Sequence, residues 1–381
     1  MVFNARSYSV FVDYEPLRAV VWVMACLSMS FNIIVICRML FKYNFKRGVK
    51  RSSGAISFGS NFTVNGNPTL FILFNLAIAD LLGAIYLFIL AFGDVYYTHH
   101  YATVFKNINI TGDDNITNQW ARSVNCFSAR FIAQVSIYMK AAMSLAIAIN
   151  RFRSVYKPYA RYSRRIRSIR IMVLLCWIVS ILVASSVTIA SYFVLMHRQH
   201  IPFTVFRHMC LLDKGLGMYL RAVGFGALFL GFICYAVVII LYILICLRLK
   251  ASHISSSSNL SEIVHRRLQV LCISIVLTDI LAYASVTILS IAYLHQSQDG
   301  LHDVIPITVV CLFTNCVIDP IIYIIFWISN SSTVEGWLRK VGCRYLQVQK
   351  NSSQLRRIRS IKVNSEVAVI GPKVLTRFVK V

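Results

Sequence analysis

Residues 70–92 read LFILFNLAIADLLGAIYLFILAF. The run exceeds the roughly 20 apolar residues that a helix needs to cross a bilayer. One ionisable group, Asp80, stands near its middle. A charge at that depth is costly, so Asp80 asks for a partner and a purpose.

Six more stretches have the same character: 20–41, 126–150, 171–196, 219–247, 268–293 and 304–327. Short polar connectors join them. The fold class is therefore all-α, a seven-transmembrane helix bundle, with a short amphipathic eighth helix after the last span. Composition agrees, since 57% of the 381 residues are hydrophobic, 14% are charged and the mean hydropathy is +0.66. Soluble domains carry about a quarter charged residues. The organisation reads as an exterior N-terminus over 1–17, the bundle over 18–328, a membrane-surface helix over 329–346 and a basic tail over 347–381.

A net charge of +25 would ordinarily raise nucleic-acid binding. With the N-terminus outside, the inner pieces are 38–51, 151–170, 248–267 and the tail from 339. These hold most of the 39 Lys and Arg against three acids, Glu262, Glu335 and Glu366. On the exterior pieces acids and bases balance. The surplus is thus a topological signal that also attracts anionic inner-leaflet lipid, and nucleic acid is set aside as a partner. Two glycosylation sequons, at Asn109 and Asn115, fall in the loop after the second span, on the side the charges call exterior. Those at Asn61, Asn259, Asn330 and Asn351 fall inside and are expected to stay unmodified. Residues 1–17 lack a basic segment followed by a short apolar core, so the first span is expected to act as the insertion signal.

Of the eleven cysteines, those at 26, 37, 176, 234, 246, 272, 311 and 316 lie in spans and read as small hydrophobes. Cys126 and Cys210 stand at exterior boundaries, where an oxidising compartment favours a disulfide over two free thiols. Cys343 follows the last span among Val334, Trp337, Leu338, Val341 and Tyr345, apolar at helical spacing and flanked by Arg339, Lys340 and Arg344. Palmitoylation is the functional reading of Cys343, and a plain cytosolic thiol is the other.

In order, one landmark in each span but the sixth, the chain carries Asn32 with Val35; Asn75-Leu-Ala-Ile-Ala-Asp80; Cys126 through Arg151; Trp177; Tyr242; and Asp319-Pro320-Ile-Ile-Tyr323 followed by Phe326. That series resembles the rhodopsin-like (class A) G-protein-coupled receptors over about residues 18–346. Within them the transmembrane part is most similar to the leucine-rich-repeat glycoprotein-hormone and relaxin-type receptors. The second span, Thr278-Asp279 in the sixth and the missing proline in the fifth carry that likeness. Those receptors have large repeat ectodomains, and here fewer than twenty residues precede the first span. Two positions depart from the pattern. Asn150 stands where an acid precedes the third-helix arginine, and Ala282-Tyr283-Ala284-Ser285 replaces the aromatic-and-proline switch of the sixth span.

The resemblance implies that Arg151, Tyr242, Pro320 and Tyr323 serve activation and G-protein coupling. It also implies a cation pocket built here from Asn32, Asp80, Lys140, Asn315 and Asp319, with Asp279 nearby. Resembling receptors have a small or hydroxylated residue at the place of Lys140. The expectation is that the ammonium occupies the cation's place and pairs with Asp80 or Asp319, because a buried charge without a partner is costly. The other reading has Lys140 reaching out to lipid or one aspartate staying neutral. Near the outer mouth Asp94, Arg130 and Gln134 form a candidate ligand pocket, in which Arg130 either binds an anionic group or pairs with Asp94. Ala133 and Phe313 stand where amine receptors have an aspartate and opsins a lysine, which disfavours both ligand types.

No metal-spaced His/Cys cluster, cofactor motif or nucleophile with a base is visible, so the chain reads as a non-enzyme without metal or cofactor. The function expected is transduction of an extracellular signal, from a peptide or anionic small molecule, to heterotrimeric G proteins at the plasma membrane. Serines 255–258 and Ser352, Ser353, Ser360 and Ser365 would serve arrestin binding once phosphorylated, or mark flexible segments only. A non-coupling pseudoreceptor and an ion-relaying transporter are the alternatives.

Overall fold

A computed structural model of the chain describes residues 15–49, 67–105, 120–156, 162–197, 209–211, 218–252, 270–285 and 304–329. Seven long helices lie among the described residues: α1 (Glu15–Val49), α2 (Pro68–Phe105), α3 (Val124–Tyr156), α4 (Tyr162–His197), α5 (Met218–Ser252), α6 (Val270–Ser285) and α7 (Val304–Ser329). Five contain segments long and apolar enough to cross a bilayer, and two shorter apolar segments, Val270–Ser285 and Val310–Phe326, complete the series. The protein is a multi-pass membrane protein. The sequons at 109 and 115, the serine runs and the 329–346 segment with Cys343 lie outside the described residues. The chain divides into two compact units, Met1–Tyr323 and Ile324–Val381.

Lipid offers backbone groups no water, so each span satisfies them internally as a helix. The helices run past their apolar stretches: α2 reaches Phe105 rather than stopping near Phe92. Local chemistry sets the starts. Asn67 caps α2, its Oδ1 accepting from Thr69 N at 3.0 Å and its carbonyl from Phe71 N at 3.0 Å, with Pro68 at the first helical position where no N–H is needed. Ser123 does the same for α3, its Oγ accepting from Cys126 N at 3.1 Å.

Helix α3 packs on α2, α4 and α5, and α1 packs on α2. Since lipid is as apolar as leucine, small residues and interhelical hydrogen bonds hold such a bundle together. Ser136 Oγ of α3 donates to Ala79 O of α2 at 2.8 Å. Trp177 Nε1 of α4 donates to Asn75 Oδ1 of α2 at 2.9 Å. Outward-facing Leu174, Leu182, Phe229 and Ile240 are exposed on α4 and α5, as lipid contact allows.

One carbonyl organises α7. Pro320 lies inside that helix and has no N–H, so the carbonyl of Cys316, four residues earlier, loses its helical donor. Helix α1 supplies the replacement: Asn32 Nδ2 donates to Cys316 O at 2.9 Å and Ser28 Oγ at 3.0 Å. The proline of one span and the asparagine of another are therefore two halves of one requirement.

Gly83 lets α2 approach α7. A Cβ there would lie 2.6 Å from Cys316 Sγ and 3.1 Å from both a Phe313 ring atom and Ser136 Oγ. Gly83→Val is expected to destabilise the purified bundle by about 1–3 kcal/mol through overpacking. An unchanged thermal midpoint would show that the approach is not tight.

Candidate functional site

Lys140 lies on α3 and is 4% exposed. It does not reach lipid. Its Nζ sits 3.1 Å from Asp80 Oδ1 and donates to Asn315 Oδ1 at 3.0 Å and to Cys316 Sγ at 2.6 Å. An ammonium has three N–H groups, and three acceptors surround this one. The ring of Phe313 lies 5.5 Å away, presenting its face to the cation.

Asn315 passes the interaction on. While its Oδ1 accepts from Lys140, its Nδ2 donates to Asp279 Oδ1 of α6 at 2.7 Å. Ser144 Oγ donates to Asp279 Oδ2, so both oxygens of that carboxylate are engaged. Asp319 stands apart from the ammonium. Thr278 Oγ1 bonds its Oδ1 at 2.6 Å, and Oδ2 has no hydrogen-bond partner. Of the two carboxylates expected to pair with Lys140, the geometry therefore selects Asp80 and gives Asp319 to a threonine.

Asn32, Asp80, Lys140, Asp279, Asn315 and Asp319 thus share one buried seam across α1, α2, α3, α6 and α7. Beside it lies a cavity of about 20 Å³, the room of one water, lined by Asn32, Asp80, Asp319, Pro320 and Tyr323 with apolar walls.

At the end of the bundle where α3 begins, Cys126 and Cys210 form a disulfide. Cys210 holds a left-handed backbone (φ 55°), uncommon for a residue with a side chain. Two buried side chains pin that segment: Tyr86 OH donates to Met209 O at 2.8 Å, and Arg130 Nε donates to Cys210 O at 3.1 Å. Arg130 also donates to Ser191 Oγ of α4 at 2.7 Å. Asp94 takes its ion pair from α1 instead, with Arg18 Nε 2.5 Å from its Oδ2. Gln134 is buried with neither end of its amide hydrogen-bonded.

Toward the other end of α3, Arg151 is buried and donates to Cys272 Sγ of α6 at 3.4 Å. Asn150 turns to α2, its Nδ2 donating to Thr69 Oγ1 at 2.9 Å. Tyr242 and Tyr323 are half-buried, and Tyr323 lines the cavity.

Four members of the seam, Ser28, Ser144, Thr278 and Cys316, escaped sequence reasoning as site residues. Faint signals exist for three of them. Ser144 follows Lys140 by one helical turn, Thr278 precedes Asp279, and Cys316 precedes Pro320 by four.

The sequence model of the family described as 7 transmembrane receptor (rhodopsin family) matches residues 60–323, more than half of the chain. No curated protein matches it.

Removing the ammonium strands Asp80. Lys140→Met is expected to lower stability by about 3–5 kcal/mol, and Lys140→Met with Asp80→Asn to recover much of that loss, since breaking one side of a buried pair costs more than replacing both. Equal losses in the single and double variants, measured by thermal unfolding in nanodiscs, would contradict the pairing.

Proposed function

The chain belongs to the rhodopsin family of seven-transmembrane receptors, a non-enzymatic class, and from that premise we propose that it transduces an extracellular ligand signal to heterotrimeric G proteins at the plasma membrane. One observation carries the reading. A buried polar seam joins five helices and ends beside Pro320 and Tyr323, the segment that in such receptors moves on activation. Ligand binding outside would then shift the populations of two packings of that seam.

Lys140 serves as a built-in cation. Its contacts with Asp80, Asn315 and Cys316 support that role, which a mobile ion fills in the resembling receptors. Basal activity should therefore respond little to sodium. Arg151 would open the inner cleft with Tyr242 and Tyr323. Asn150, which bonds Thr69, puts an uncharged amide where the resembling receptors have the acid that precedes this arginine.

The ligand, a peptide or an anionic small molecule, would meet Arg130 and Gln134, with Asp94 shaping the wall. Gln134 supports this reading, since its buried amide is the group there in need of a partner. The likeness to leucine-rich-repeat hormone receptors is part of the proposal, supported by Thr278-Asp279, which ties α6 to both α3 and α7. An exterior N-terminus, sugar at Asn109 and Asn115, a lipid chain at Cys343, arrestin at the tail serines and anionic lipid at the basic inner face complete it. A second reading, a bundle that binds without coupling, draws on Asn150 and on Ser285, whose hydroxyl donates only to Ala282 O one turn earlier.

The test is nucleotide exchange on a panel of purified G proteins in membranes holding the chain. Exchange without added ligand is expected above mock membranes, lost in Arg151→Ala and reduced in Asn150→Asp. Mock-level exchange for every G protein would transfer the case to the non-coupling reading. Ionic current or solute uptake would transfer it to a transporter.

A further inference from the structure

The seam holds three carboxylates, Asp80, Asp279 and Asp319, each at most 3% exposed, and one ammonium. Ionising all three would leave two uncompensated negative charges inside a bilayer, a state that proteins avoid by neutralising a group. Their partners rank the three. Asp80 has the Lys140 ammonium itself, an ion pair at 3.1 Å. Asp279 accepts from Ser144 and from Asn315, and through Asn315 it is linked to Lys140. Asp319 has only the Thr278 hydroxyl, whose single proton is shared with Ile275 O, also at 2.6 Å. Its second oxygen has no partner.

Asn32 faces the same cavity with the same need. Its Nδ2 is committed to Ser28 O at 2.9 Å and Cys316 O at 2.9 Å, which fixes the orientation of the amide and leaves Oδ1 as an acceptor without a donor. Three buried acceptor oxygens without a hydrogen-bond donor, on Asn32, Asp80 and Asp319, thus line a space the size of one water, and of these Asp80 has the ammonium 3.1 Å away. The other two cannot satisfy each other, so something must bring a hydrogen.

We propose that the bundle binds one proton at Asp319, which sits on Oδ2 and donates across the cavity to Asn32 Oδ1, directly or through a single water. The step is a simple association of a proton with a carboxylate, with no other bond broken. A metal ion suits the space poorly. Hard cations seek about six oxygens, whereas Asn32, Asp80, Asp319 and Tyr323 are the oxygen-bearing side chains here and the remaining walls are Val35, Met39, Leu73, Leu76, Ala77, Ile275 and Pro320. The charged and titratable groups that face Asp319 are Asp80 on α2, Lys140 on α3, Tyr235 on α5, Asp279 on α6, and Cys316 and Tyr323 on α7. Helix α1 offers Asn32 alone. Lys140 is the one cation among them, and it pairs with Asp80.

The bound proton stabilises the packing described here, because an unfolded chain releases it at neutral pH. Linkage then requires stability to fall as pH rises, wherever the folded state holds more protons than the unfolded. The inference shares the seam with the proposed receptor mechanism but needs no signalling partner. Failure of nucleotide exchange would leave it standing.

The experiment uses the full chain in nanodiscs at constant ionic strength, with thermal midpoints taken from about pH 5 to 9 in sodium and in choline buffers. The wild-type midpoint is expected to fall by at least about 3 °C across that range, alike in both buffers, and Asp319→Asn to be flat within about 1 °C. Equal pH dependence in wild type and Asp319→Asn overturns the proposal. So does a flat response in Asp279→Asn with the slope kept in Asp319→Asn, or a midpoint that follows sodium and not pH. Should Asp319→Asn fail to fold, infrared spectroscopy of the wild type decides. A carbonyl band from a protonated, buried carboxyl at neutral pH supports the proton site, and its absence overturns it.

Discussion

The rest of the bundle depends on the partners of the Lys140 ammonium. It pairs with Asp80 on α2 at 3.1 Å and donates to Asn315 and Cys316 on α7. In water an ion pair of this kind contributes little, but in a site this dry the cost of leaving any member unpartnered is several kcal/mol. Three helices are therefore held in one register by an electrostatic requirement rather than by apolar packing, which in lipid discriminates poorly between registers. Asn315 extends the requirement to α6 through Asp279.

Cys316 shows how backbone and side chain can share a duty. Its sulfur accepts from Lys140, and its carbonyl, released by Pro320, accepts from Ser28 and Asn32. Gly83 gives that sulfur its room. A shift of α7 at the proline would thus be felt on α1, α2 and α3 together, without any chain of intermediates. Such a junction is what a two-state element needs if it is to be bistable rather than continuously deformable.

Much of this was legible in the sequence because lipid makes the rules severe. Each span announced itself by hydropathy, and Asp80, Lys140, Asp279 and Asp319 announced themselves by being charged where charge is costly. Cys126 and Cys210 were legible from their place at the exterior boundary, and they are bonded. The exact partners were not. Whether Lys140 meets Asp80 or Asp319 depends on helix rotation and on the depth of α7 relative to α3, which no periodicity within one helix encodes. Arg130 illustrates the limit, since its partners are a loop carbonyl and a serine of α4. Cys316 was unreadable for a different reason: a thiol in an apolar run looks like filler until a proline four residues later is seen to free its carbonyl.

The hold of Tyr86 and Arg130 on residues 209–211 has a consequence for the end of the bundle where α3 begins. The Cys210 carbonyl takes one N–H of a buried guanidinium, so this strip of main chain is tied down by a charge-assisted bond as well as by the disulfide. Freeing it would take the breaking of a covalent bond and two hydrogen bonds together, so α2, α3 and residues 209–211 behave there as one unit.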